Sequence, residues 1–400
     1  MAHAPDAQPV GGPLMTRPFK WLLAFLGLWT IILIWRFAAG IGAVSGLTDG
    51  YPWGVWIAFD VVTGTALGCG GYAIAILAYI LNKGQYHPVI RPAILTSALG
   101  YSMAALAIII DVGRPWFIWR IPLGGWPDVG KFNWDSALLE VALCVMAYVF
   151  VLWIELSPAF MEKWKDSDNA FLRSFSEWGL KLMEKALIWI VALGLLLPTM
   201  HQSSLVTVML LGGHKLHPLW NTGWIPLLFL ISCIGMGYGV VVWEAAVSSS
   251  VFKRERETDM LASLAGAMIV VNILYVVLRL GDIVISGKTA LMFTEGWYSL
   301  LFWLEMVLFI VPVVMFANKE RRSQFSTMFS ASILRVLSGS LYRFDAYIAA
   351  FNPGPGWSYF PTVPELLITL GVITLEITLY IFIVKRYPIL GGVPASETAQ

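Results

Sequence analysis

Residues 106–116, LAIIIDVGRPW, decide how the chain is read. Five residues suited to hydrocarbon, Leu106 to Ile110, run straight into Asp111 and, about one helical turn later, Arg114. An ionisable group inside a bilayer costs several kcal/mol unless it is paired or hydrated. A carboxylate and a guanidinium at the end of such a helix therefore raise two questions. How many similar helices surround it, and where do their charges lie?

The totals answer the first. Of 400 residues, 58% are hydrophobic and 13% charged, and the mean hydropathy is +0.73. A soluble chain carries about 25% charged residues. The apolar residues come in blocks of the length a bilayer core demands, roughly 20 residues. The expected fold is an all-α integral membrane protein with about ten transmembrane helices, near 21–38, 54–81, 93–112, 136–156, 182–200, 223–250, 259–281, 298–317, 326–349 and 364–385. The stretch 201–217 has too short an apolar core to span and reads as interfacial or re-entrant. Residues 1–20 form a polar N-terminal tail, 21–385 the membrane domain and 386–400 a C-terminal tail. Arg17 and Lys20 before a full-length apolar run mark a retained first span, not a cleaved signal.

Basic residues set the orientation. With the N-terminus inside, seventeen Lys and Arg fall on inner segments and five (Arg114, Arg120, Lys131, Lys215 and Lys288) on outer ones. Both termini then face the cytoplasm. The outer loops 124–134, 212–224 and 351–365 are rich in Trp, Gly and Pro, which suits a membrane interface or a docking surface. The glycine clusters TGTALGCGG (63–71) and GMGYG (235–239) suit close helix packing. Span 3 ends in DVGRP and span 7 in RLGD, while spans 4 and 8 open with ALLEVAL and LLFWLEM. That echo suggests that spans 2–5 and 6–9 are two related four-helix bundles.

The remaining charges sort by depth. Asp60, Asp111, Arg114, Glu140, His201, Arg279, Asp282, Glu305, Arg343 and Asp345 fall toward the outer side. Glu155, Glu244, Arg335 and Glu376 lie deeper or toward the cytoplasm. Asp111 with Arg114, and Arg279 with Asp282, have the spacing of intrahelical ion pairs. Helix-end solvation does not account for Asp60, Glu140 and Glu305 inside apolar runs, so an outer polar pocket is expected. Glu244, Glu376 and Arg335 fit equally a proton route to the cytoplasm or structural pairing. Cys69, Cys144 and Cys233 lie in apolar segments without a CxxC or Cys/His cluster, so no metal or iron–sulfur site is expected in this chain. His214 and His217 lack a third ligand. No histidine is placed mid-span, so no haem is expected either, since a b-type haem normally takes two facing histidines. No nucleic-acid partner is expected. A secondary transporter is the rival class, because intramembrane charges and glycine-broken helices also suit one. Transporter sites, however, lie near the midplane.

Six segments in order carry a resemblance: GYPWGVWIAFD (50–60), GQYHPVIRPA (84–93), GYSMAALAIIIDVGRPW (100–116), LLPTMHQSS (196–204), KLHPLW (215–220) and AFNPGPGWSYFPTVPELLI (350–368). Over nearly its whole length the chain resembles the NrfD/PsrC-type membrane subunits, and among them the HybB-like members of hydrogenase-2-type [NiFe] hydrogenases. The resemblance implies two four-helix bundles with one added helix at each end, in a bacterial inner membrane. It implies a quinone-reactive subunit of a hydrogen:quinone oxidoreductase, with quinone (menaquinone or ubiquinone) as bound substrate. The implied partners are a ferredoxin-like iron–sulfur subunit on the outer face and the large and small [NiFe] hydrogenase subunits. A molybdopterin or polysulfide enzyme is the alternative partner. Quinone reduction takes two electrons and two protons, so the site needs hydrogen-bond donors and a proton supply. His201 and Tyr101 are the expected ring-contacting donors. Asp111 and Glu140 are the expected local proton donors, with Arg114 holding Asp111 ionised. Asp60, Glu305, Glu244, Glu376 and Arg335 complete the expected proton-transfer set.

Overall fold

The computed structural model describes residues 7–123, 133, 135–254 and 257–391. The outer loop 124–134, apart from residue 133, therefore lies outside the described residues, with Lys131, Arg256 and most of the C-terminal tail.

Ten long helices follow one another. They are α1 (Arg17–Ala39), α2 (Trp56–Ile80), α3 (Ile90–Asp111), α4 (Ala137–Trp164), α5 (Ala170–Leu211), α6 (Ile225–Val251), α7 (Thr258–Ile285), α8 (Trp297–Ala317), α9 (Phe325–Phe344) and α10 (Val363–Arg386). Eight of them are long and apolar enough to cross a membrane; α5 and α9, the predicted spans 5 and 9, are outside that set. The chain is a multi-pass, all-helical integral membrane protein.

Polar caps start three of the helices where the sequence turns from loop to apolar run. Ser136 accepts from Leu139 N at α4, and Asn169 from Phe171 N at α5. Thr362 and Glu365 form a reciprocal capping box at α10. The largest departure from expectation is α5, which runs 42 residues and passes through Pro198 without ending. The predicted separate segment at 201–217 is, up to Leu211, the last three turns of this helix. A proline is tolerated in a membrane helix where neighbours re-satisfy the freed backbone.

Helices α2, α3, α4 and α5 pack in a closed ring, and α6, α7, α8 and α9 in a second. The rings meet where α2 packs on α6 and α9, and α5 on α6. Helices α1 and α10 pair with each other and lie against α2 and α3. The two-bundle expectation with a flanking helix at each end holds. Two close approaches explain the glycines. A Cβ on Gly237 would stand 2.6 Å from the Cys69 carbonyl oxygen and 2.8 Å from Ala73 Cβ, so α6 meets α2 nearly backbone to backbone. A Cβ on Gly371 of α10 would fall within the indole of Trp29 in α1, whose Nε1 donates to Ile368 O.

Helix α2 is irregular. Its ends, Trp56–Thr63 and Ile76–Ile80, are π-helical, and it is interrupted at Gly68–Cys69. Such turns recur near functional sites because they re-aim side chains.

Gly237→Ala should lower the thermal unfolding midpoint of the detergent-solubilised protein through a penalty of about 1–3 kcal/mol for overpacking. Gly281→Ala, where a methyl meets nothing within 4 Å, should not lower it.

Candidate functional site

The helix ends define an aromatic side, where the loops 212–224 and 351–362 run, and a basic side opposite. The predicted charges divide among four places.

The first lies where the two bundles meet. Tyr101 of α3 and His201 of α5 each sit about 15 Å from the aromatic end of their helix, at 1.5 Å per residue. Both are fully buried. Tyr101 OH stands 3.4 Å from His201 Nδ1 and 3.6 Å from Cys69 Sγ. Gln202, also fully buried, decides the histidine's state. Arg343 Nη2 donates to Gln202 Oε1 at 3.2 Å, and a guanidinium only donates. The Gln202 amide nitrogen is thereby turned toward Thr65 Oγ1 (3.1 Å) and His201 Nδ1 (3.4 Å). Nδ1 is then an acceptor, so the ring proton resides on Nε2. That atom is buried and has no partner among the described residues. The site thus holds a preset N–H donor turned toward an acceptor the chain does not supply.

The second lies inside the second bundle. Glu305 accepts from Tyr275 OH (2.7 Å) and Trp220 Nε1 (3.1 Å), and Arg279 Nε stands 3.6 Å from it. Arg279 also donates to Leu219 O at 2.7 Å. Asp282 accepts from Thr222 Oγ1 at 2.8 Å, so the predicted Arg279–Asp282 pair is replaced by Arg279–Glu305. Glu305 is thoroughly satisfied by its neighbours.

The third is a rim on the aromatic side, formed by α1, α2, α3 and α10. The predicted Asp111–Arg114 pair is not formed. Arg114 is exposed, whereas Arg36 of α1 is buried and donates to Ile110 O (2.7 Å) and Val112 O (2.6 Å), on either side of Asp111. The reason is geometric. Beyond Asp111 the helix ends and Val112 is extended, which carries Arg114 away from it. Asp111 has a buried Oδ1 without a partner among the described residues. Asp60 Oδ2 accepts from Thr369 Oγ1 of α10 at 2.9 Å. Glu140 stands elsewhere and accepts from Ser204 Oγ at 2.7 Å.

The fourth lies toward the basic side, where Tyr380 OH donates to Glu244 Oε1. Arg335 is fully buried inside the second bundle and donates to Ser232 O (2.7 Å) and Ser338 Oγ (2.9 Å). Outside the helices, His217 stacks on Tyr298 at 4.1 Å with Glu295 3.5 Å from its Nε2. Burial holds this imidazole below its ordinary range against the opposing pull of Glu295. Among the described residues no group of three His, Cys, Asp or Glu is placed to hold a metal ion.

Sequence reasoning missed Arg36, Gln202 and Tyr380. Arg36 was visible as a charge within the first span, and Gln202 as the residue after His201. Nothing local marked Tyr380.

These paired bundles, with polar groups buried between helices from distant parts of the chain, define a polytopic membrane subunit built around intramembrane polar sites. The chain belongs to the NrfD family, described as polysulphide reductase, NrfD, which it matches over residues 43–352. It is 37% identical, over 98% of its length and 96% of the relative's, to the "Probable Ni/Fe-hydrogenase 2 b-type cytochrome subunit" of Escherichia coli (strain K12). It is 27% identical, over 86% of its length and 84% of the relative's, to the "Menaquinone reductase, integral membrane subunit" of Nitratidesulfovibrio vulgaris. It is 20% identical, over 94% and 95%, to a selenate reductase subunit of Mesobacillus selenatarsenatis.

The first of these names corrects the expectation of a haem-free chain, because that relative is called a b-type cytochrome subunit. The premise behind the expectation fails too, since His201 is buried within α5 rather than beyond its end. The residues still do not fit a two-histidine haem. His201 offers one unpartnered nitrogen, but His87, His214 and His217 lie in turns and loops at the helix ends. No second histidine faces His201 among the described residues.

Arg36→Leu leaves two helix-end carbonyls without their donor and should cost about 1–3 kcal/mol, read as a lower unfolding midpoint in detergent. Arg114→Leu should change stability by less than about 0.5 kcal/mol.

Proposed function

We propose that this chain is the quinone-reactive membrane subunit of a hydrogen:quinone oxidoreductase in a bacterial cytoplasmic membrane, with its aromatic side outward and both termini inside. The observation that carries the reading is the unpartnered Nε2–H of His201, held in that tautomer by Gln202 and Arg343 beside Tyr101. A quinone carbonyl is an acceptor of the kind this donor lacks. Electrons would come from a ferredoxin-like iron–sulfur subunit docked on the aromatic side and fed by large and small [NiFe] hydrogenase subunits.

Two electrons and two protons convert each quinone to quinol. Tyr101 and His201 hold the ring through its carbonyl oxygens. Glu140, which accepts from Ser204 three residues beyond His201, is the carboxyl group nearest the ring. Asp111, with its unpartnered oxygen, supplies protons from the rim at the aromatic end of α3. Asp60 is paired with Thr369 and serves Asp111. Glu305, bound by Tyr275, Trp220 and Arg279, serves as structure more readily than as a proton carrier. Replacement protons come from the cytoplasm through Glu244 and Glu376. Charge is thereby moved across the membrane, at about 2.3 kcal/mol per charge against 100 mV. Arg335 lies within the second bundle without a carboxylate within 4 Å among the described residues and is assigned no proton.

The names of the menaquinone and selenate reductase relatives favour a second version with the same quinone chemistry and another catalytic partner. Metal analysis of the complex purified through this subunit separates the two. Nickel with iron supports the hydrogenase partner, and molybdenum or tungsten replaces it.

His201→Gln and Tyr101→Phe should each lower hydrogen-dependent quinone reduction, by about 100-fold for His201→Gln. Hydrogen oxidation with an artificial dye should be unchanged in the same membranes. Loss of both activities would count against the assigned role and indicate failed assembly.

A further inference from the structure

Helices α1 and α10 lie outside the family-matched residues 43–352. Helix α10 nevertheless carries a polar face through the apolar layer. Glu365, Thr369, Glu376 and Tyr380 follow one another at spacings of four, seven and four, which places them on one side of a helix. Every one meets a different part of the molecule. Glu365 accepts from Gly46 N, Thr362 N and Tyr359 OH near the aromatic end. Thr369 donates to Asp60 of α2. Glu376 lies against Gly100 of α3, where an added Cβ would stand 3.6 Å from its Oε1. It has no hydrogen-bond or ion-pair partner among the described residues. Tyr380 donates to Glu244 of α6.

The Glu376 carboxylate packs between α10 and Gly100 of α3, at ordinary contact distance from where a methyl would stand. Glu376 is within electrostatic reach of Asp60, and Asp60 of Asp111, whose Oδ1 is buried without a partner. Near the basic side, Glu244 is close to Ser248 and Arg254, which donates to Ser248 Oγ at 3.0 Å. Carboxyl and hydroxyl groups therefore follow one another from Glu244 to Asp111, at intervals of one to two helical turns. A structural explanation accounts for Thr369 and Tyr380, which are paired. It leaves a carboxylic acid placed without a partner in the apolar layer, and an ionisable group there is costly unless it functions.

We infer that α10 provides the route by which protons reach the quinone site from the basic side, with Glu376 as its obligatory carrier and Tyr380 as the link to Glu244. A proton arriving on Glu244 is passed through the Tyr380 hydroxyl, which releases its own proton toward Glu376 as it takes the next. Glu376 delivers to Asp60 and Asp111, which replace the protons taken up by quinone. The route rests on the quinone reading above and assigns to the two added helices a part of the chemistry rather than anchorage alone.

The test uses the whole complex in sealed membrane vesicles, with hydrogen as donor and either a short-chain quinone or an artificial dye as acceptor. Glu376→Gln should slow the quinone-linked rate about ten-fold or more and leave the dye-linked rate unchanged. Azide, a small weak acid that ferries protons, should restore at least half of the quinone-linked rate. Glu376→Asp should retain an intermediate rate, and Tyr380→Phe should be slowed and rescued in the same way. Thr374→Val, on the opposite face of α10, should behave as the unmodified complex. A wild-type quinone-linked rate in Glu376→Gln, or a loss that azide does not restore, overturns the route. Absence of quinone reduction by the unmodified complex would instead remove the reading on which it rests.

Discussion

The guanidinium of Arg343 is fully buried and donates to Val62 O of α2, Gln202 Oε1 of α5, and Phe229 O and Ser232 Oγ of α6, as well as to Gly339 O of its own helix. Four helices from two bundles thus share one cation. Hydrocarbon offers no hydrogen bond to such a group, so displacing any of these acceptors would leave charge unsolvated where that is most expensive. The way the bundles meet, and the orientation of the Gln202 amide that sets the His201 ring, both depend on this residue. Gly237, which lets α6 approach α2 closely, makes the same junction sterically feasible.

Buried cations are satisfied in three different ways in this molecule. Arg279 has a carboxylate, Glu305, together with aromatic rings of Trp220, Phe302 and Tyr342 around it. Arg343 draws on carbonyls and a hydroxyl between the bundles, and Arg335 on a carbonyl and a hydroxyl within the second. Arg36 completes the open carbonyl end of α3. Of these only the first resembles a conventional ion pair, an arrangement that buried Arg91 shares with Glu162. Arg36 uses carbonyls that a helix end leaves unpaired. Arg343 and Arg335 take carbonyls within helices, which can accept a second hydrogen bond, and a guanidinium with five donors can meet several at once.

Much of the fold was legible because the bilayer imposes length and apolarity on every span. The ten predicted segments coincide with ten helices to within a few residues, except at α4, which continues past the expected end at 156 to Trp164, and at α5, which extends well beyond its predicted span at both ends. There Pro198 and the polar run His201 to Ser204 suggested an end. The polar run is accommodated because Tyr101, Thr65, Glu140 and the other bundle supply the polar partners that lipid would not. The same misreading hid a histidine within the bundle and led to an unwarranted exclusion of haem.

At the site, the sequence by itself determined which residue types had to be sheltered: carboxylates, arginines and a histidine inside apolar runs cannot face lipid. It also brought Tyr101 and His201 forward together. Partner choice was decided only by the tertiary structure. Asp111 lies beside Arg36 and not Arg114, Arg279 meets Glu305 and not Asp282, and Tyr380 reaches Glu244 across 136 residues. Spacing along one helix ranks neighbours three and four residues away. In a bundle whose surroundings cannot solvate charge, the stronger demand is for the best-buried partner, and that comes from whichever helix packs alongside.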